Sequence, residues 1–373
     1  MRRLFAVILF ALLIGFIYYF PSITDKIYKS DPKNAAEQIS YDGVLTIADT
    51  VKRTVAGARF GYINKIIYDF EKNHPEIRIE LKELKHSDNA EIALRFSLQD
   101  NHPDIMPYYV AGCTIDDKYL TPTQNYEIFY DDLDEYFASG LKNGTFKALP
   151  VSYEVPVILI NTDLLSQLNI TLPERFTVDT FFSLLSQIDD TFTNDKLYTF
   201  DMFISKNNNL WQPFYLNSDL SKIASLRHIR DDLFKRSEND VLSLFSDSKT
   251  AVCILSVSQL RALQNMQNKG SSSDWNIYAL PYEKTYISNI SFYAALKTDD
   301  TLKENAINDF LKNLLSNESQ LLLENIMHLP VKDILYEKYP YLNTLKMKDQ
   351  CVLLEMDMKT LDKIYNEMIQ SIP

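Results

Sequence analysis

Glycine is scarce in this chain, at eight of 373 residues, and none of the eight falls in a G-x-G-x-x-G turn, a Walker loop or a G-x-S-x-G elbow. Those motifs use glycine so that backbone N–H groups can approach a phosphate or present a nucleophile, so their lack argues against nucleotide-driven chemistry. Cysteine is scarcer still. Cys113, Cys253 and Cys351 are odd in number and widely spaced, which gives neither a disulfide framework nor a metal quartet. The five histidines (His74, His86, His102, His228 and His328) are dispersed, with no H-E-x-x-H and no zinc pair. Basic charge is also short. Lys plus Arg number 38 against 50 Asp plus Glu, a net charge of −12, and no basic stripe interrupts this, which argues against nucleic acid as a partner. No cofactor is implied, and nothing marks an enzyme.

What the chain has is apolar content. At 46% hydrophobic residues it is a globular protein, and its length exceeds what one core comfortably organises, so two lobes are expected. Arg2 and Arg3 precede a run without charge, Leu4–Phe20, which Pro21 closes. As a helix at about 1.5 Å per residue it is roughly 25 Å long, within the range of a membrane span. It ends in Phe16, Ile17, Tyr18, Tyr19 and Phe20, bulky residues suited to a membrane interface and unlike a small-residue cleavage site. The expectation is an uncleaved signal-anchor over residues 1–21, a polar tether over 22–42, and everything beyond on the outer face of the membrane.

The globular part starts at Gly43. Val44–Ile47 reads as the first strand with Asp49 past its carboxyl end, and Phe60, Ile63, Ile67 and Phe70 give the next helix one apolar stripe. His74-Pro75 stops that helix, and Ile77, Ile79 and Leu81 alternate as a second strand. Ala90–Leu98 reads as helix and Ile105–Tyr109 as a third strand. This alternation predicts an α/β fold with a parallel sheet. The acidic cluster Asp131, Asp132, Asp134 and Glu135 lacks the glycine-centred alternation of a calcium loop and reads as a solvated helix face. Thr177 starts a helix carrying Phe181, Leu184, Leu185 and Ile188, and Thr301 with Glu304 forms a capping box for another carrying Ile307, Phe310, Leu311 and Leu314. Ser319–Ile326 and Leu361–Ile369 complete the helices.

The stretch that orders the rest is Leu149–Leu165, LPVSYEVPVILINTDLL. Val157–Ile160 does not alternate and reads as a strand buried on both faces. A polar and aromatic turn holding Ser152, Tyr153 and Glu154 sits at its mouth, where α/β proteins present ligand groups. Later, Asn207–Tyr215 (NNNLWQPFY) gathers Trp211, Phe214 and Tyr215 beside polar groups, either as a stacking platform for a pyranose or as a core aromatic cluster under a loop.

Leu149–Leu165 resembles the "LP…YN-D-L" segment of extracellular solute-binding proteins of ABC importers, in the family 1 sugar-binding group that includes maltose-binding protein. Gly43–Asp49, Gly61–Leu81, Pro103-Asp104-Ile105, Leu172–Asp179, Lys249–Leu255, Tyr278–Tyr282 and Leu329-Pro330-Val331 resemble other segments of that family in its own order. The resemblance implies a two-lobed, periplasmic-binding-protein-like fold of type II, with a hinge and an interlobe cleft. Lobe 1 would be residues 43–112 and 255–302, and lobe 2 residues 113–254 and 303–373. The implied function is capture of a sugar or oligosaccharide and its delivery to an importer's membrane subunits, with the chain held to the cell membrane by its N-terminal helix. The implied ligand contacts are Asp49, Tyr153, Glu154, Trp211, Tyr215 and Asn289, Glu154 because maltose-binding members use a glutamate there to bond sugar hydroxyls. Cys113 and Cys253 would lie at lobe crossings, as a hinge disulfide or as buried free thiols. Two departures stand out: no lipobox cysteine follows the apolar run, and Tyr286, Ile290 and Phe292 are bulky where the family has small residues. Both fit an alternative, a degenerate binding fold acting as an outward-facing sensor or scaffold without a transported ligand.

Overall fold

The fold was obtained as a computed structural model, which describes residues 41–50, 62–84, 102–108, 118–194, 196–202, 210–229, 238–270 and 273–354. The apolar run 4–20, residues 22–40 of the expected tether, Phe60, the helices expected at 90–98 and 361–369, and Cys113 lie outside these residues. Among the described residues no helix is long and apolar enough to cross a membrane.

Twelve strands form three sheets among the described residues. Strands β1 (Gly43–Thr50), β2 (Ile77–Leu84), β3 (Ile105–Tyr108), β4 (Leu149–Glu154), β10 (Asn289–Ala295) and β11 (Leu329–Pro330) make the first, in the order β11-β4-β10-β3-β1-β2. Strands β5 (Pro156–Asn161), β6 (Tyr198–Met202), β7 (Thr250–Ser256) and β8 (Trp275–Ala279) make the second, in the order β6-β7-β5-β8. A ribbon joins β9 (Thr285–Ile287) to β12 (Cys351–Leu353). The expected parallel sheet is therefore only half right. β1 pairs parallel with β2 and β3, but β10 runs antiparallel to β3 and β4. Alternation of strand and helix foretold the parallel part; β10 follows directly on β9 with no helix between them, and no local pattern announces its direction.

The helices lie where their apolar stripes require. Helix α1 (Tyr62–Asn73) buries Ile63, Ile66, Ile67 and Phe70, and its Phe70 ring meets Phe310 of α3 (Thr301–Leu314) edge-on at 5.2 Å. Asp104, the aspartate of Pro-Asp-Ile, ties this layer together. Its Oδ2 accepts from Thr46 N–H at 2.8 Å, its Oδ1 meets Lys303 Nζ at 2.7 Å, and its carbonyl accepts from Leu296 N–H at 2.9 Å. Helix α3 is capped by Asp300, whose side chain accepts from Leu302 and Lys303 N–H, and not by the expected Thr301–Glu304 box; Glu304 reaches out to Asn125 instead. On the second sheet, helix α2 (Val178–Thr191) starts at the expected Thr177 cap and buries Phe181, Leu184, Leu185 and Ile188.

The expected lobe boundaries need correction. Residues 118–154 were assigned to the second lobe, yet they build on the first sheet: β4 pairs with β10, Leu120 bridges Leu296, and Tyr126 Oη accepts from Ala295 N–H. Helix α3 and β11 also belong there, through Phe70 and the β4 pairing. Conversely β8, expected in the first lobe, pairs with β5 in the second sheet. The cause is that Leu149–Glu154 is a strand and not a turn, so the chain changes sheets at Val155 and not near Thr114. It returns at Ser288, and after β11 it passes back, with Val352 and Leu354 set against the core of the second sheet. Cys253 is a buried free thiol in β7, its pKa raised by burial and by Asp201 nearby.

Asp189 is the polar anchor of the second layer. It is 5% exposed, and its carboxylate accepts from Thr199 Oγ1 at 2.9 Å, Arg227 N–H at 2.8 Å and His228 N–H at 2.8 Å. Burial pushes its pKa up, but these donors outweigh burial and hold it below the usual carboxylate value. A group depressed in the folded state contributes stability above its unfolded pKa and loses it as pH falls through the folded value. Asp189→Ala should lower urea stability at pH 7 by roughly 3 kcal/mol, because several buried donors are stranded. The variant should also lose part of the wild-type's acid sensitivity below about pH 4, measured as urea midpoints against pH. Equal slopes in the two proteins would contradict this.

Candidate functional site

Glu154 ends β4, one residue before the chain leaves the first sheet, and sheet pairing sets its neighbours. Across one side its register partner is Asn289, the first residue of β10. Across the other, β11 pairs Leu329 with Tyr153, which brings the preceding His328 alongside Glu154. Residues facing each other across paired strands share one face of the sheet. Asn289 Nδ2 donates to Glu154 Oε1 at 3.1 Å, and His328 Nε2 lies 3.5 Å from the same oxygen. Beyond β7 the second layer supplies the rest: Ser256 Oγ donates to Oε2 at 2.7 Å, and Ser258 Oγ donates to it as well. The main chain follows, with Ser288 N–H on Glu154 O at 2.8 Å and Val257 N–H on Val155 O at 3.0 Å. His328 in turn meets Ser152 Oγ through Nδ1 at 3.1 Å.

Glu154 is 6% exposed, and a carboxylate offers about four lone-pair sites. Four side chains from three separate parts of the sequence converge on it. Glu154 is thus where the two passages of the chain at Val155 and Ser288 are tied to the end of β7 and to the approach to β11. Of the group only Asn289 is well exposed.

The six expected contacts divide. Glu154 and Asn289 are brought together. Tyr153, their neighbour, is not: successive strand residues face opposite ways, and its ring, 2% exposed, lies against Phe137 at 5.5 Å. Burial, with Asp134 adding, raises the Tyr153 pKa above the ordinary tyrosine range, and a cavity of about 380 Å³ lined by Asp134, Tyr136, Lys346 and Cys351 opens on that side. Asp134 is itself raised by burial and by Asp333, and the Cys351 thiol is pushed up to about 11 by burial. Asp49 stands half-buried at the end of β1 beside Tyr62, whose pKa is raised by burial and by the charge of Asp49. Residues 51–61, which follow β1 in sequence, lie outside the described residues.

Trp211 requires a correction. It is 0% exposed and belongs to the core under the second sheet with Phe181, Phe200 and Phe214, so it has no free face for a sugar; Tyr215, half-buried, meets it edge-on at 6.1 Å. The bulky segment after Thr285 is also explained. Tyr286 joins that same core and bonds Asn217 Nδ2 through its hydroxyl at 2.7 Å, while Phe292 is buried against Phe146 at 5.1 Å. Both rings fill cores and leave the surface beside Asn289 free of them. Ser152 is among the residues expected at the strand's mouth, whereas Ser256, Ser258 and His328 are not among the expected site residues. The signal for two of them was a Ser-x-Ser immediately after an unbroken β run; His328 had only its place before Leu-Pro-Val.

The chain is similar to known proteins in family and in fold. Residues 65–331 match the model of a family described as bacterial extracellular solute-binding protein. No curated protein sequence matches the chain. Among solved structures, the binding protein MsmE of Bacillus subtilis, in an open conformation, is 17% identical with a TM-score of 0.61, over 88% of this chain and 93% of that one. A cyclic alpha-maltosyl-1,6-maltose binding protein of Arthrobacter globiformis is 13% identical with a TM-score of 0.65, covering 88% and 93%. The galacto-N-biose/lacto-N-biose I-binding protein of a Bifidobacterium longum ABC transporter is 12% identical with a TM-score of 0.63, covering 88% and 94%. At these identities the likeness is one of fold.

The burial of Trp211 has an optical test. The chain has two tryptophans, so Trp275→Phe leaves Trp211 as the only one. Its emission should be blue-shifted and almost inaccessible to iodide. Emission that iodide quenches readily would return Trp211 to the surface.

Proposed function

The chain belongs to the bacterial extracellular solute-binding proteins, and from that membership we propose that it captures a sugar or oligosaccharide in a cleft between its two sheet layers and passes it to an ABC importer. The layers are the two lobes of a type II fold, redrawn with the chain's crossings at Val155, at Ser288 and after β11. The observation that carries the reading is the meeting of the crossings at Val155 and Ser288 on one buried carboxylate, with an exposed polar amide at its edge. Such a junction lets two rigid layers approach each other about a fixed point. A ligand touching both layers favours the closed arrangement because only that arrangement makes both sets of contacts. Asp49 and Asn289 are the ligand groups of the first layer in this reading, and Tyr215 that of the second.

The carbohydrate class is supported by the solved relatives, which are named for a cyclic maltose oligosaccharide and for lacto-N-biose. The sensor or scaffold alternative drew on the bulky residues after Thr285, and Tyr286 and Phe292 lie in cores away from the cleft. The apolar run Leu4–Phe20 anchors the chain in this reading, with residues 22–373 outside the cell.

Two measurements test the proposal. The full chain in mild detergent should melt higher with one class among maltotriose, lacto-N-biose and chitobiose, by about 2.7 kcal/mol of stabilisation at a hundredfold excess over the dissociation constant. Asn289→Ala should then weaken that sugar about tenfold. A silent panel from well-folded protein would remove sugar capture. Separately, the expressed chain should resist alkaline carbonate extraction from membranes, and deletion of residues 1–21 should release it.

A further inference from the structure

We infer that Glu154 is a positioning residue that does not touch the ligand: it fixes the amide of Asn289 so that the amide carbonyl faces outward and accepts a hydroxyl proton from the bound solute. The inference rests on the capture of a hydroxyl-bearing solute proposed above. It follows from an asymmetry in what each group can do. A carboxylate only accepts hydrogen bonds, whereas an amide side chain donates at one end and accepts at the other. With Asn289 held 3.1 Å from Glu154 Oε1, the NH2 end must turn inward. The carbonyl end is left facing solvent on an exposed residue, where it accepts no bond from the described residues.

The rest of the cluster serves to keep Glu154 in that role. Ser256 and Ser258 hold Oε2, and His328, braced by Ser152, flanks Oε1. A carboxylate so engaged and so buried has to break an existing bond before it can meet a sugar. Asn289 is exposed and has to break none. The chemistry of the outward group also sets a preference: a lone carbonyl acceptor takes a hydroxyl or amine hydrogen and rejects a carboxylate or phosphate at that point of the cleft.

The test uses the full chain in detergent and two readouts. In the free protein, the Asn289 side-chain amide cross-peaks, identified by their loss in Asn289→Ala, should move in Glu154→Gln, because glutamine can donate to the carbonyl and release the fixed orientation. Peaks that stay in place overturn the inference, whether or not any sugar binds. With whichever of maltotriose, lacto-N-biose or chitobiose raises the melting point, Glu154→Gln and Asn289→Ala should each weaken binding about tenfold. The double variant should bind no more weakly than Asn289→Ala alone. Multiplying losses in the double variant would instead make Glu154 a ligand contact of its own and overturn the inference. If Glu154→Gln does not fold, Ser258→Ala keeps the carboxylate and removes one of its donors; it should move the same peaks and weaken binding part-way, and no change in either would contradict the inference. A panel on which no sugar binds, with peaks that move as expected, would sink the capture reading and leave the orientation of Asn289 supported.

Discussion

A buried carboxylate has to be surrounded by donors, and much of this molecule is arranged around meeting that demand. Glu154 sits at the one-residue gap between β4 and β5, a position no isolated strand could make tolerable. Its neighbours must therefore come from elsewhere, and they do: β10 contributes Asn289, the approach to β11 contributes His328, and the end of β7 contributes two serines. Asn289 follows the passage at Ser288, and the serines and His328 come from segments in the two sheet layers that flank it. Satisfying one charge thus fixes the relative register of segments that no single hydrophobic core could hold together, because the passages lie between two cores.

The same constraint explains how much of the molecule was legible in the sequence. Strand and helix positions within each layer follow from periodicity, since an apolar stripe either buries against its own sheet or does not form; α2 and α3 carry the stripes read from their residues, and α1 carries Ile63, Ile67 and Phe70 of its own stripe. Chain crossings are not periodic. Leu149–Glu154 looked like a turn because Pro150, Ser152 and Glu154 are poor strand formers, and only pairing with β10 and β11 makes a strand of them. The lobe boundaries inherited that error. Partners of Glu154 lie 102, 104 and 135 residues away, so no local window contains the cluster.

Trp211 illustrates a different limit. An aromatic group beside asparagines in a sequence without periodicity suits a sugar platform and a covered core equally well, and the choice depends on where α2 brings Phe181 and where the returning segment brings Tyr282 and Tyr286. Those positions are tertiary facts. Asp189 sits on the legible side of the same divide in type but not in role: a helix-end aspartate is unremarkable in sequence, and only the fold turns Arg227 and His228 toward it.

The parallel ribbon of β9 and β12 carries one last implication. It clasps the final described segment, Cys351–Leu353, onto Thr285–Ile287, the stretch through which the chain is about to re-enter the first sheet. Two bodies joined by a single tether can swivel freely, and two tethers leave a swing about the line between them. A third connection, fastened to one of the other two, resists twisting far more than it resists bending. In the capture reading proposed above, that fastening favours a jaw-like nod of the layers over torsion.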